Sequence, residues 1–142
     1  MRITSITLVA ALLGFVAMPT MAKDSDSDLI CAVVDVYVCG YEEPCERANP
    51  SAINAPDFLK IDLKKNEIVG KRHDGSYGTF KVKNQMRTPG LVLLQGMQED
   101  DDDDNDDAAA WSMTLNIDSG RMSAAVSGDR AAYTLFGNCH TL

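Results

Sequence analysis

The segment WSMTLNIDSGRMSAAVS, residues 111–127, constrains the fold more than any other stretch. Trp111, Met113, Leu115 and Ile117 fall on one parity, with Ser112, Thr114 and Asn116 between them. Asp118-Ser119-Gly120 then breaks the run, and Met122, Ala124 and Val126 resume the alternation. A period of two is that of a strand with one buried face, and a three-residue turn closed by glycine joins two such strands into a hairpin. The pattern recurs along the chain. FLKIDLK places Leu59, Ile61 and Leu63 inward, followed by a turn near Lys65-Asn66 and the strand EIVGK. Asp74-Gly75 turns the chain into TFKVK, with Phe80 and Val82 inward, and Pro89-Gly90 leads into LVLLQGM. LICAVVDVYVC, residues 29–39, reads as the first strand, with Ala32, Val34, Val36 and Val38 on the inward parity and Asp35 and Tyr37 outward. AAYTLFG closes the series after a turn at Gly128-Asp129. GYEEPCERANP reads as a loop, followed by one helical turn with Asn49 as its cap and Pro50 in first position.

About eight short strands and no helix long enough to cover a sheet imply an all-β domain that buries its sheet against itself. Closing such a meander also removes its exposed edges. The expected fold is an up-and-down antiparallel meander forming a small lipocalin-like barrel, with a two-sheet β-sandwich as the alternative. Eight strands is the size at which side chains fill the interior or leave room for one small ligand.

Residues 1–22 have the form of a secretory signal peptide: Arg2, an apolar stretch from Ile6 to Val16, and small residues at Thr20 and Ala22. The apolar stretch is too short to span ~30 Å of hydrocarbon. Residues 23–28 form a polar leader expected to be disordered, and 29–142 a single domain, which is expected to be periplasmic or secreted and not membrane-spanning. Export brings an oxidising environment, in which four cysteines form two disulfides by default. Cys31 and Cys39 lie in one strand, about 26 Å apart at ~3.3 Å per residue, too far to bridge. In a closed meander the first and last strands are antiparallel neighbours, which pairs Cys31 with Cys139 and leaves Cys39 to Cys45.

The formal net charge of −8 is local, since residues 99–107, EDDDDDNDD, carry eight negative charges. Such a run is expected to form a solvated hairpin loop with, at most, weak cation association. As a calcium-binding helix–loop–helix it fails, because counting from Asp100 places Asn105 sixth and Trp111 twelfth, where glycine and glutamate are required. No C-x-x-C pair suggests a metal site, and no cluster of Lys and Arg suggests nucleic acid. His73-Asp74-Gly75-Ser76 holds the residue types of a hydrolytic triad, but neighbours in one tight turn cannot converge as a triad does. No enzyme, cofactor, metal or catalytic residue is expected. Trp111, Met113, Leu115 and Ile117, with Met122 and Tyr133, either fill the core or line an apolar ligand pocket.

The segments CAVVDVYVC, NAPDFLKIDL, LVLLQGMQ, AAWSMTLNIDSGRMSAAVSGD and TLFGNC together resemble a group of small, uncharacterised exported proteins of proteobacteria. In that group the connection after LVLLQG is expected to be short, which makes the acidic run an insertion. The resemblance implies the β-meander and carries no activity, so no functional residue transfers with it. Two roles remain: a non-enzymatic structural or interaction module of the cell envelope, working through an envelope protein partner, and a small carrier of an apolar ligand.

Overall fold

A computed structural model describes residues 27–98 and 108–142. Residues 1–22, expected to be a signal peptide, most of the polar leader and the acidic run at 99–107 lie outside the described residues. Ten strands follow in chain order: β1 (Leu29–Gly40), β2 (Glu46–Ala48), β3 (Phe58–Asp62), β4 (Glu67–Lys71), β5 (Tyr77–Lys81), β6 (Asn84–Thr88), β7 (Leu91–Gln98), β8 (Ala109–Asn116), β9 (Arg121–Ser127) and β10 (Ala131–Thr141). A single 3₁₀ turn, Pro50–Ile53, sits between β2 and β3. Asn49 precedes it in extended conformation without donating or accepting a side-chain cap.

All the strands belong to one antiparallel sheet, in the order β5-β4-β3-β1-β10-β9-β8-β7-β6, with β2 paired to β1. This is an up-and-down meander in which the first and last long strands meet, curled into an open half-barrel rather than a two-sheet sandwich. No ladder joins β5 to β6, although they are consecutive in the chain. The two sheet ends approach each other beside that connection, where the Lys83 amide donates to the Gln95 carbonyl at 2.8 Å. The approach depends on Gly96, because a Cβ there would stand 2.5 Å from the Lys81 carbonyl oxygen.

Two strands go beyond the eight expected. β2 is three residues long, and Arg47 ties it to Asp35 of β1 by an ion pair. β6, NQMRT, has no inward apolar row, so alternation could not reveal it; it exists by pairing with β7. The inward parity expected for β1 also needs correction. A bulge between Val33 and Asp35 shifts its register against β10, so Leu29, Cys31 and Val33 face inward before it and Val36 and Val38 after it. Val34 is left 56% exposed, and Ala32 shares the outward side. An extra residue in one strand exchanges the faces of everything beyond it.

The core contains no buried polar or charged residue among those described. Leu59, Ile61, Leu63, Ile68, Trp111, Met113, Leu115, Met122 and Ala124 are all buried, as their alternation requires. Cys31 and Cys139 are direct register partners and are disulfide-bonded, and Cys39–Cys45 clips the loop after β1.

Candidate functional site

The interior is filled unevenly. Where β7 ends and β8 begins, several inward positions carry little or no side chain: Gly70 on β4, Gly78 on β5, Gly96 on β7 and Ala124 on β9. A cavity of about 360 Å³ occupies this region, within the range of small-molecule sites. Three of its lining side chains lie on these glycines. A Cβ at Gly70 would fall 2.5 Å from Pro56, one at Gly96 would fall 2.5 Å from the Trp111 ring, and one at Gly78 would fall 3.2 Å from Arg72 Nε. The glycines thus create room for larger groups supplied by neighbouring elements.

The walls are apolar. Val33 contributes from β1, Leu59 and Ile68 from β3 and β4, and Phe80 from β5. Trp111, Val126, Tyr133 and Leu135 complete the opposite side. Ile53, Asn54, Ala55 and Pro56 border the cavity from the segment that contains the 3₁₀ turn. That segment is held to the β4–β5 turn by a reciprocal pair: Asn54 Nδ2 donates to Asp74 Oδ2 at 2.6 Å, and the Asp74 amide donates to Asn54 Oδ1 at 3.1 Å. His73 Nε2 and Asp57 Oδ1, 3.2 Å apart, form a second link between the same elements.

Hydrogen bonding shifts the carboxyl group in this clamp. The Ser76 hydroxyl, the Ser76 amide and Asn54 together hold the Asp74 pKa down from 3.8 to about 2. Neither His73 nor Ser76 converges on the other as a nucleophile and its base would: His73 meets Asp57, whereas Ser76 meets Asp74 through its amide. Among the described residues no three His, Cys, Asp or Glu side chains are placed to share a metal ion, and no helix is long and apolar enough to cross a membrane.

Of the six residues expected to line a pocket, Trp111 and Tyr133 do so, while Ile117 packs against the core away from it. Met113, Leu115 and Met122 are buried in the core outside the cavity lining. Trp111 is 8% exposed, and its Nε1–H has no hydrogen-bond acceptor among the described residues. Sequence reasoning missed Val33, Pro56 and Arg72. The bulge at Val34 hid the first, and the other two lie in connections that no periodicity marks.

Comparisons with family models, with curated proteins and with solved structures return no match for this chain.

Proposed function

We propose that this domain is a non-enzymatic carrier of a small, largely apolar ligand, working in the periplasm or outside the cell. The observation behind this reading is the apolar cavity of about 360 Å³, open to solvent on one side and walled by Trp111, Phe80, Ile68 and Leu135. An apolar concave site of this size, bordered by a clamped segment, fits a binding role. Two disulfides favour an oxidising compartment, and the signal-peptide pattern of residues 1–22 and the likeness to exported proteobacterial proteins point the same way.

The chain contains one tryptophan, and it lines the cavity. Entry of an apolar ligand should therefore change its emission directly. Native mass spectrometry of protein purified from its own host should show a bound small molecule, released on unfolding. Protein that is ligand-free from its host, and whose tryptophan emission ignores apolar probes at micromolar concentration, would remove the carrier reading.

A second reading, an interaction module of the cell envelope, is favoured by the outer face of β1 and β10. Val34, Tyr37 and Phe136 stand 56%, 38% and 43% exposed there, with the two rings in edge-to-face contact. Exposed aromatic residues of this kind suit a protein partner. Cross-linking in the host envelope, lost on Phe136→Ser, is the outcome this reading expects.

A further inference from the structure

Within the carrier reading, on which this inference rests, we propose that the ligand is an amphiphile with an anionic head, and that Arg72 is the side chain that receives the head. Arg72 is the charged residue among those lining the cavity; the remainder are apolar apart from Asn54, Gln98 and Tyr133. Its direction follows from the pleat of β5. Gly78 and Phe80 share a parity, Gly78 is buried, and Phe80 packs against the core. A side chain at Gly78 would therefore project inward. The first atoms it would meet are Nε and Nη2 of Arg72, at 3.2 and 3.3 Å, and the Phe80 ring at 3.3 Å. The guanidinium thus lies on the inner face of the sheet, in space that the glycine leaves open.

The backbone that presents it is fixed. The Arg72 amide donates to the Ser76 carbonyl at 2.8 Å, and the Gly75 amide donates to the Arg72 carbonyl at 3.0 Å. Asp74, two residues on, has both carboxylate oxygens engaged by Ser76 and Asn54. It feels the charge of Arg72 without forming an ion pair with it; Asp57, which shares a surface depression with Arg72, is engaged by His73. A guanidinium offers a planar fork of donors suited to a carboxylate, sulfonate or phosphate, and such charge-assisted bonds are stronger between partly desolvated groups. The Trp111 ring borders the same cavity, but its Nε1–H has no accessible surface and is not within reach of a ligand there, so Arg72 is the donor the site offers a charged head. A purely hydrocarbon ligand would leave the guanidinium unmatched; one with an anionic head matches it.

The test uses a neutral fluorescent probe, N-phenylnaphthylamine, and two competitors of equal chain length, decanoate and decanol, at neutral pH and low salt. Decanoate should displace the probe at about tenfold lower concentration than decanol, as expected for one partly screened charge-assisted contact. That ratio should shrink as salt is raised. It should fall towards one in Arg72→Gln and be largely kept in Arg72→Lys, with thermal melts showing that each variant is folded. Equal displacement by the two competitors on the unaltered protein would overturn the head-group assignment and leave the carrier reading standing. So would a ratio that survives in Arg72→Gln. Failure of the probe to bind the unaltered protein would overturn the carrier reading and this inference with it. If Arg72→Gln does not fold, the competitor ratio and its salt dependence on the unaltered protein decide the matter alone.

Discussion

Asp74 shows how one exposed side chain can serve both stability and the cavity. It accepts from Ser76 and Asn54, and through Asn54 it fixes the segment that borders the cavity. Those hydrogen bonds favour the ionised form, which is why its pKa falls from 3.8 to about 2. The folded-state value lies below the unfolded one, so the stabilisation is fully present above pH 3.8 and is lost as pH drops through about 2. Asp74→Asn should therefore melt at lower temperature than the parent near neutrality, with the gap closing across that acid window. Melts recorded at a series of pH values test this, and parallel curves through the window would assign the acid sensitivity to another group. Part of the acid limb should persist in the variant, because the Lys65 amide and side chain also hold Asp62 below its usual value. Gly75, at φ 89°, gives the turn a conformation that other residues adopt at a cost.

At the scale of strands and turns, small residues matter as much as large ones. Gly96 lies where the two ends of the sheet approach, with the Lys81 carbonyl and the Trp111 ring both 2.5 Å from where a Cβ would stand. Gly96→Ala should cost about 1–3 kcal/mol, since backbone or ring must move to admit the methyl group. Urea titration measures the loss, and faster hydrogen exchange at the Lys83 amide would locate it, because that amide bonds Gln95 across the approach. Gly128→Ala is the matched control: the nearest atom to its added methyl is 3.7 Å away, so it should stay within about 0.5 kcal/mol of the parent. The β7–β8 hairpin supports a different expectation. Gln98 and Ala109 already oppose one another in register, so replacing residues 99–107 by Asn-Gly should leave the fold intact. A shorter loop with no like-charge repulsion should melt slightly higher at low salt. A large calcium-dependent rise in the parent melt, absent from the shortened form, would instead make the acidic run a cation site. Strands with one buried face were legible because alternation is a local signal; β2 and β6 were not, because a pairing partner alone defines them. The bulge at Val34 was equally hidden, since Ala32, Val34, Val36 and Val38 read as one uninterrupted apolar parity.

For the whole molecule, the decisive contact is the one between β1 and β10. Alternation shows that strands exist and turns show that they form a meander, but neither says where the sheet stays open. That depends on how β6 diverges from β5, a matter of three-dimensional twist. The cavity was legible only as a choice between filled and hollow, because its volume arises from glycines and connections on five elements at once. The cysteines report on closure more directly. Cys31 and Cys139 are 108 residues apart in the chain and directly opposed in the β1–β10 ladder, whereas Cys39 and Cys45 are 6 apart. In the chain-entropy account a cross-link stabilises by restricting the unfolded ensemble, and the effect grows with the logarithm of the loop it closes. The long bridge is then worth about 4–5 kcal/mol and the short one about 2. Both sulfurs of the long bridge are also buried, so removing it takes core packing away in addition. The double variant Cys31→Ala/Cys139→Ala should lose most of the stability of a domain this size, while Cys39→Ala/Cys45→Ala should remain folded at room temperature. Urea titrations of the two double variants, each with its remaining bridge verified by non-reducing peptide mapping, measure the difference. Equal losses would mean that the β1–β10 ladder joins the two halves of the sheet without needing its covalent link, and that loop length does not set what each bridge contributes.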